Sequence, residues 1–246
     1  MKFIELFERK SLIAAHRGAS SRAPENTLLA MKKSVGHCDF IEIDVQLSSD
    51  GVAVIMHDKT LKRTTNVKEL TVYKNRSPFN VSDFRFDELN TLDFGKGEKL
   101  LTLNIALEFI KKNLLYLNIE IKDVKENFSD ETIVSTVLEE IRKLGVENQV
   151  LISSFRPEYL SLVKSLSPNI ATAFLADDSN HENLIEYLND LGVDAYHINK
   201  KLLNNSLISR LKAEGFFLSV YIVNDIKEQK KLFDMGVSAV FSDLYR

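Results

Sequence analysis

Short apolar segments recur eight times along this sequence, and longer amphipathic stretches separate them. The segments span residues 12–16, 40–45, 115–121, 150–155, 170–176, 195–199, 216–223 and 239–242. Each has the length of a β-strand, and most are rich in Val, Ile and Phe, which favour strands. The stretches between them show helical periodicity, and Asn26 and Asp130 are candidate N-terminal caps of two such helices. The sequence therefore predicts strands that alternate with helices.

A ninth apolar segment, residues 52–57, does not fit this alternation. The short stretch around Ser49-Asp50-Gly51 joins it to the preceding strand, whereas a parallel neighbour needs a crossover of about a dozen residues or more. We therefore expect it to fold back as an antiparallel hairpin arm. The remaining eight strands predict a (βα)8 TIM barrel. A doubly wound open sheet has the same local pattern, but no glycine-rich dinucleotide motif or P-loop supports it.

One long connection stands out in an otherwise regular pattern. Residues 59–99 are polar and irregular and contain Pro78, Gly95 and Gly97. Connections of this length are uncommon in compact domains unless they serve a function. The total of 246 residues suits a single barrel, and no linker or repeat divides residues 1–246. We expect one domain, with residues 59–99 inserted as a cap at the barrel mouth.

The composition excludes several classes of protein. The sequence has 32 basic and 35 acidic residues, a near balance that argues against a nucleic-acid-binding surface or a polybasic membrane anchor. Cys38 is the only cysteine, so an internal disulfide is impossible. No stretch approaches the roughly 20 apolar residues that cross a bilayer, and residues 1–10 do not resemble a signal peptide. A cytoplasmic location is expected, and the oligomeric state stays open.

Polar side chains are concentrated where the first strands end, and the carboxyl ends of the strands form the active face of a βα barrel. Four pairs occupy such positions: His16 with Arg17, Glu42 with Asp44, His57 with Asp58, and Glu120 with Lys122. A spacing of two residues on a strand places both members of a pair on one face. Each pair alone is more often structural than functional. Their coincidence at successive strand ends indicates a single site.

The charged members of these pairs suit a metal ion and a phosphate. Glu42, Asp44 and Glu120 would repel one another inside one barrel unless a cation binds them. Oxygen ligands favour Mg²⁺ or Ca²⁺, with Mn²⁺ as a further candidate. Arg17 offers a bidentate fork that matches phosphate, and Lys122 adds a point charge. The sequence therefore predicts a divalent cation that acts on a phosphoryl group.

The two histidines suit proton transfer in the same site. Histidine is the side chain whose ordinary pKa lies nearest neutral pH, so His16 and His57 suit one general acid and one general base. Together with the carboxylates and the basic side chains, they describe metal-assisted phosphodiester cleavage. The sequence leaves open which histidine is the acid. It also leaves open whether water attacks directly or a substrate hydroxyl first forms a cyclic phosphate.

Taken in order, these motifs resemble the glycerophosphodiester phosphodiesterase family. The matching segments are His16-Arg17-Gly18, Ala23-Pro24-Glu25-Asn26-Thr27, Glu42-Ile43-Asp44-Val45, Asp50-Gly51, His57-Asp58, Glu120-Ile121-Lys122, Ser153-Ser154-Phe155 and Phe241-Ser242-Asp243. They extend over nearly the whole chain, and the block from residue 16 to residue 58 is highly specific. Tyr221 stands where the family often has Trp, and residues 101–105 lack a Glu common in the family, so the exact substrate stays open.

The resemblance implies a (βα)8 barrel with a small subdomain inserted after the His-Asp hairpin, where residues 59–99 lie. It implies hydrolysis of a small-molecule glycerophosphodiester to glycerol 3-phosphate and an alcohol such as choline or ethanolamine. It also implies roles for seven residues. These are the metal ligands Glu42, Asp44 and Glu120, the catalytic His16 and His57, and the phosphate-binding Arg17 and Lys122.

Two other functions compete with this interpretation. A related lipid phosphodiesterase, of phospholipase D-like type, would act on lysophospholipids or sphingolipids. An exposed apolar lip at Phe79, Phe84 and Phe86 would favour it, and we expect residues 79–86 to line the rim. The third possibility is a non-catalytic barrel that only binds phosphorylated ligands. Such a protein would not need a paired acid and base.

Overall fold

Eight parallel strands form a closed barrel in the computed structural model, which describes residues 1–244. The barrel strands are Leu12–Ala15 (β1), Phe40–Leu47 (β2), Leu117–Ile121 (β4), Val150–Ser154 (β5), Ala171–Ala176 (β6), Ala195–Asn199 (β7), Phe217–Tyr221 (β8) and Ala239–Ser242 (β9). The first strand closes the barrel because it pairs in parallel with both β2 and β9. The predicted TIM barrel is confirmed, and the alternative of an open sheet is wrong.

The hairpin arm lies outside the barrel count, as predicted. Strand β3 spans Ala53–Ile55 and runs antiparallel to β2, with Val45 opposite Ile55 and Leu47 opposite Ala53. Barrel neighbour β4 pairs with the other edge of β2. The short turn between β2 and β3 therefore presents the residues after β3 at the same end as the carboxyl end of β4.

Helices follow most of the strands and cover the outside of the barrel. They are Leu28–Ser34 (α1), Phe86–Leu89 (α2), Leu103–Asn113 (α3), Asp130–Leu144 (α4), Pro157–Leu166 (α5), Leu184–Leu191 (α6), Asn205–Ala213 (α7) and Ile226–Met235 (α8). Within residues 1–244, no helix is both long and apolar enough to span a bilayer.

The N-terminal caps differ by one residue from the sequence-based expectation. Thr27, not Asn26, caps α1 and accepts a hydrogen bond from the Ala30 backbone N–H. Ser129, not Asp130, caps α4 by the same kind of bond. A cap residue needs an extended backbone so that its side-chain oxygen can reach a free N–H of the first turn. Asn26 has a positive φ instead, and its side chain bonds elsewhere.

The interior of the barrel is sealed at the end where the strands begin. A 3₁₀ helix, Phe3–Glu8, buries Phe3 and Phe7 against residues at the strand starts, such as Leu12 and Phe40. Phe3 and Phe40 pack edge to face, with ring centroids 5.1 Å apart. A second apolar layer lies between the outer strand faces and the helices. The polar residues therefore collect at the opposite, carboxyl end of the strands.

The long connection, residues 59–99, builds a small core of its own. It contains the 3₁₀ helices Val67–Glu69, Thr71–Tyr73 and Val81–Asp83 and the helix α2. Its apolar side chains pack on Val54 and Met56, from the hairpin arm and the residue after it. Phe79 is 7% exposed and Phe84 is 0% exposed, both within this core. The expectation that residues 79–86 form an apolar rim is therefore wrong, because the insertion needs these rings to stabilise itself.

Gly18 permits a close approach that places the first loop against α1. Its φ is +76°, and an added Cβ would lie 2.7 Å from the Ala30 carbonyl carbon and 2.9 Å from the Met31 nitrogen. Gly36 has nearly the same φ, +78°, but an added Cβ there meets nothing within 4 Å. A substitution at Gly36 would therefore introduce backbone strain alone, whereas one at Gly18 would introduce both backbone strain and steric overlap.

We predict that Gly18→Ala destabilises the protein more than Gly36→Ala does. The Gly36 substitution should cost about 1–2 kcal/mol for the left-handed backbone, and Gly18→Ala should add about 1–3 kcal/mol of overpacking. Urea denaturation midpoints measured on both variants test this. Equal losses of stability would show that the loop moves away from α1 without cost.

Candidate active site

Three carboxylates meet at the carboxyl ends of two neighbouring strands. Glu42 and Asp44 lie on β2, and Glu120 lies on β4, where the pairing register places it beside Asp44. One oxygen of each carboxylate lies within 4.8 Å of an oxygen of each of the others. Glu42 is 3% exposed and Asp44 is 1% exposed. The structure therefore concentrates up to three negative charges in one small, largely dry volume.

This crowding perturbs the protonation of the cluster. Burial raises the pKa of Glu42 well above its ordinary value, and the charges of Asp44 and Glu120 raise it further. Burial likewise raises the pKa of Glu120 to about 7, even though Lys122 opposes the shift. Burial would also raise the pKa of Asp44, but the charges of Lys122 and Arg17 lower it instead. These shifts favour the protonated forms of Glu42 and Glu120 when no further cation compensates the cluster.

Arg17 contacts the cluster through both its backbone and its side chain. Its backbone N–H donates to Glu42 Oε2 at 2.8 Å, a contact made with a positive φ of 56°. Its Nε lies 3.4 Å from Asp44 Oδ2, and its Nη1 donates to Glu25 Oε1 at 2.8 Å. Glu25 thus orients the guanidinium group of Arg17, and Glu42 fixes the position of the Arg17 backbone.

Lys122 supplies the second positive charge. Its Nζ donates to Glu120 Oε1 at 2.5 Å and lies 3.4 Å from Asp44 Oδ1. The ammonium group also lies 6.0 Å from the centre of the Phe155 ring. Burial alone would lower the pKa of Lys122, but the charges of Glu120 and Asp44 raise it instead. The ammonium group therefore keeps its positive charge in this site.

His16 and His57, the two histidines predicted to be catalytic, each have a carboxylate next to ring nitrogen Nδ1. His16 Nδ1 lies 2.8 Å from Asp243 Oδ1, and His57 Nδ1 lies 2.8 Å from Asp58 Oδ1. A carboxylate at Nδ1 favours the tautomer that donates from this nitrogen, so Nε2 is the nitrogen available for proton exchange. Burial lowers the pKa of His57, with Lys122 and Arg17 acting in the same direction and Asp44 against it.

The carboxylate behind His16 is itself held in place. Burial would raise the pKa of Asp243, but hydrogen bonds from His16 and Asn224 lower it to about 2. Asn224 donates from Nδ2 to Asp243 Oδ2 at 2.8 Å, and its Oδ1 accepts from the Asp243 backbone N–H. Asp243 therefore stays ionised and oriented behind the imidazole of His16.

These groups surround one cavity of about 230 Å³. Its polar lining includes His16, Arg17, Glu42, His57, Asn118, Glu120, Lys122 and Asp177. Apolar residues of the lining are Phe155, Leu175, Tyr221, Ile222 and Phe241. The structure thus brings together all seven residues singled out from the sequence: six line the cavity, and Asp44 contacts Arg17 and Lys122 from beneath. One side of the cavity is charged, and the other is largely aromatic and aliphatic.

Comparison with known proteins places this arrangement in a family. A sequence profile described as the glycerophosphoryl diester phosphodiesterase family matches residues 16–245. The chain belongs to this family. A glycerophosphodiester phosphodiesterase from Bacillus altitudinis is 31% identical over 242 residues, which are 94% of each chain. One of the same name from Caldanaerobacter subterraneus is 31% identical over 245 residues, 95% of this chain and 94% of the relative.

A solved structure agrees in both fold and sequence. A phosphodiesterase from Oleispira antarctica, in complex with the product sn-glycerol-3-phosphate, superimposes with a TM-score of 0.84 at 30% identity. The match covers 97% of this chain and 95% of that one. The predicted family and enzyme class, a phosphoric diester hydrolase, are both confirmed.

Several residues that support the site of this family member were not assigned to the site from the sequence. Asn26 donates to Asp44 Oδ2 at 2.8 Å, Glu25 holds Arg17, and Asn224 and Asp243 support His16. Glu25, Asn26 and Asp243 do lie in segments that carry the family resemblance, which was the available signal. Asn224 follows β8 in the Val223-Asn224 pair, which also matches the family pattern, but only the closed barrel brings it beside Asp243.

The donor set in this phosphodiesterase fits a divalent cation. Three carboxylates supply hard oxygen ligands, which suit Mg²⁺, Ca²⁺ or Mn²⁺ better than a soft metal. The buried Asp44 Oδ1 has no hydrogen-bond partner among residues 1–244. Lys122 Nζ lies 3.4 Å from this oxygen and compensates part of its charge without a hydrogen bond, so the oxygen can still accept a metal ion. Glu42, Asp44 and Glu120 therefore form a possible metal site.

We predict that cation affinity rises with pH. A cation must displace protons from Glu42 and Glu120, so a pKa of about 7 at Glu120 alone makes binding about tenfold tighter at pH 8 than at pH 6. Isothermal titration with Mg²⁺, Ca²⁺ or Mn²⁺ measures this. At an ion concentration of about 100 Kd, the folded state should gain about 2.7 kcal/mol.

Two substitutions locate the ion in this experiment. Asp44→Asn should weaken binding at least about tenfold by removing a ligand charge. Asp177→Asn, which changes a carboxylate of the same cavity outside the cluster, should leave affinity and its pH dependence intact. Equal losses in both variants would mean that the ion is held by the general negative potential and not by the cluster.

Proposed function

We propose that this protein hydrolyses glycerophosphodiesters to glycerol 3-phosphate and an alcohol, with a divalent cation held by Glu42, Asp44 and Glu120. Family membership supports the reaction class. The complex of the Oleispira antarctica phosphodiesterase with sn-glycerol-3-phosphate supports glycerol 3-phosphate as the product. The ion, the roles of the seven residues and the substrate class form the proposal.

The observation that carries the proposal is the pair of histidines beside the carboxylate cluster. His16 and His57 line one cavity, and each has Nδ1 at 2.8 Å from a carboxylate. A protein that only bound a phosphate would need the positive charges of Arg17 and Lys122 but not two oriented imidazoles. General acid–base catalysis needs both, one to take a proton and one to give it.

Each group then has a task in the reaction. Arg17 and Lys122 hold the phosphate oxygens, because a guanidinium fork and an ammonium match their charge and geometry. A bound divalent cation would polarise the phosphoryl group and offset the charge that develops in the transition state. One histidine accepts the proton of the attacking hydroxyl, and the other donates a proton to the leaving alcohol oxygen. Asp58 and Asp243 stabilise the imidazolium forms and keep the rings oriented.

The apolar side of the cavity is the place for the part of the substrate that carries no phosphate. Phe155 and Tyr221 meet edge to face, with centroids 6.5 Å apart, and the Tyr221 hydroxyl donates to the Ala176 carbonyl oxygen at 2.8 Å. Leu175 and Phe241 complete this wall, which therefore comes from the ends of β5, β6, β8 and β9 and not from the insertion. The buried Phe79 and Phe84 do not provide the exposed lip that would favour lysophospholipid or sphingolipid substrates.

Three other expectations stay predictions. They are the choice among Mg²⁺, Ca²⁺ and Mn²⁺, the cytoplasmic location, and the organisation of residues 1–246 as one domain with residues 59–99 as its cap. The first of these is decided by the same assay that tests the reaction.

We predict that the purified protein releases glycerol 3-phosphate from glycerophosphodiesters in a cation-dependent manner. A coupled assay for glycerol 3-phosphate, run over choline, ethanolamine, glycerol and inositol diesters with each cation, measures it. Excess EDTA should abolish turnover, because the carboxylates then lack their counter-charge, and re-addition of the ion should restore it. Tight phosphate binding without turnover of any diester would support the non-catalytic alternative instead.

Removal of either histidine should affect the chemical step. His16→Ala and His57→Ala should each lower kcat by about 10²–10⁴, with a smaller change in KM, because an acid or base acts mainly in the transition state. His37→Ala is the matched control, since this exposed histidine lies in the connection that precedes β2. Near-normal kcat in His57→Ala would exclude the two-histidine mechanism.

A further inference from the structure

A chain of hydrogen bonds links the insertion to two groups of the proposed site. Arg63 lies on the insertion, five residues after Asp58. Its Nε donates to Asp58 Oδ2 at 2.7 Å, and its Nη2 donates to Asp58 Oδ1 at 2.9 Å. Asp58 Oδ1 is the same atom that lies 2.8 Å from His57 Nδ1. The Nε–Nη2 edge of Arg63 therefore fixes the carboxylate of Asp58, which in turn orients His57.

The same guanidinium also binds the carboxylate that orients Arg17. Arg63 Nη1 donates to Glu25 Oε2 at 2.6 Å, and its Nη2 donates to Glu25 Oε1 at 2.7 Å. Glu25 Oε1 in turn accepts from Arg17 Nη1 at 2.8 Å. Two carboxylates from different parts of the chain, on loops after β1 and after β3, are thus joined by one side chain.

We propose that Arg63 is a positioning residue that sets the guanidinium of Arg17 and the imidazole of His57 at a fixed separation across the cavity. The inference rests on the proposed function, in which Arg17 holds the phosphate and His57 moves a proton. Arg63 itself does not line the cavity. It acts through Glu25 and Asp58.

The geometry distinguishes this contact from an ordinary surface ion pair. Exposed pairs contribute little to stability, and the side chain of Arg63 is 48% exposed. However, both edges of this guanidinium are bidentate, and a planar fork of this kind constrains the position and the plane of each carboxylate. Hydrogen bonds from Arg63 and His57 lower the pKa of Asp58, so this carboxylate is an obligate acceptor. The link therefore contributes orientation more than stability.

The insertion helps to hold the His57-Asp58 segment in place. Its apolar core packs on Val54 and Met56, directly before His57. Gln46 on β2 donates to the Met56 and Asp58 carbonyl oxygens at 2.8 Å, which fixes the same segment from the barrel side. With Arg63 on its far side, the His57-Asp58 segment is held between the barrel and the insertion.

A matched pair of substitutions tests the proposal. Arg63→Met keeps an unbranched stem but removes the fork. Arg76→Met removes another bidentate arginine of the insertion, which binds Glu88 at 2.9 Å through two nitrogens and is 40% exposed. In the diester assay, Arg63→Met should lower kcat/KM by about 10–100-fold, the cost of a misplaced reacting group. Arg76→Met should stay within about twofold of wild type, because surface changes away from the site act only on stability.

A chemical rescue separates positioning from structural damage. Arg63→Ala opens a space for a free guanidinium ion between Glu25 and Asp58. Millimolar guanidinium should then recover part of the lost kcat in Arg63→Ala, with no gain in wild type or Arg76→Ala. Cation affinity, measured by titration, should be the same in every variant. Loss of activity in Arg63→Ala without any rescue, together with a lowered melting temperature, would assign Arg63 to stability alone.

A spectroscopic readout makes the test independent of turnover. Nitrogen-15 NMR of histidine-labelled protein reports which ring nitrogen of His57 carries the proton, and His57→Gln assigns the signal. Arg63→Met should shift this tautomer signal, and Arg76→Met should not. An unchanged signal would overturn the proposal. A shifted signal in a protein that cleaves no diester would instead retain the positioning role and refute the proposed function.

Discussion

A cluster of three carboxylates, two buried and one partly buried, is the constraint on which the rest of the site depends. Glu42, Asp44 and Glu120 lie close together because adjacent parallel strands place them in register. Such a cluster is unfavourable unless positive charge compensates it. Arg17 and Lys122 provide part of that charge, while burial and the neighbouring carboxylates raise the pKa values of Glu42 and Glu120. A site of this kind is stable when protonated and ready to exchange protons for a cation.

The polar groups around the cluster are ordered from outside by a second set of carboxylates. Asp243 supports His16, Asp58 supports His57, and Glu25 supports Arg17. All three accept hydrogen bonds from more than one donor. The side chains that would meet the substrate thus have few free rotamers, which reduces the entropy that must be lost when the reacting groups are aligned.

The barrel strands and the loops contribute different parts of the site. Strand ends provide the metal ligands and Lys122, where a closed sheet leaves little freedom of position. The loops after β1 and β3 provide the histidines and Arg17, which need support from elsewhere. The insertion supports His57 and Arg17 through Arg63 and through its own small core, and Asp243 supports His16. The apolar wall of the cavity comes from the ends of β5, β6, β8 and β9.

The sequence by itself predicted the eight strands and the hairpin arm, and it singled out seven residues that the barrel brings together, because strand periodicity and strand-end position are local properties. Local pattern did not determine the partners of these residues. Asp243 lies 227 residues from His16, and their contact depends on closure of the barrel by β1 and β9. The buried rings of Phe79 and Phe84 and the double contact of Arg63 were decided by how the insertion folds back. Contacts between distant segments depend on the path of the whole chain, which no short window of sequence contains.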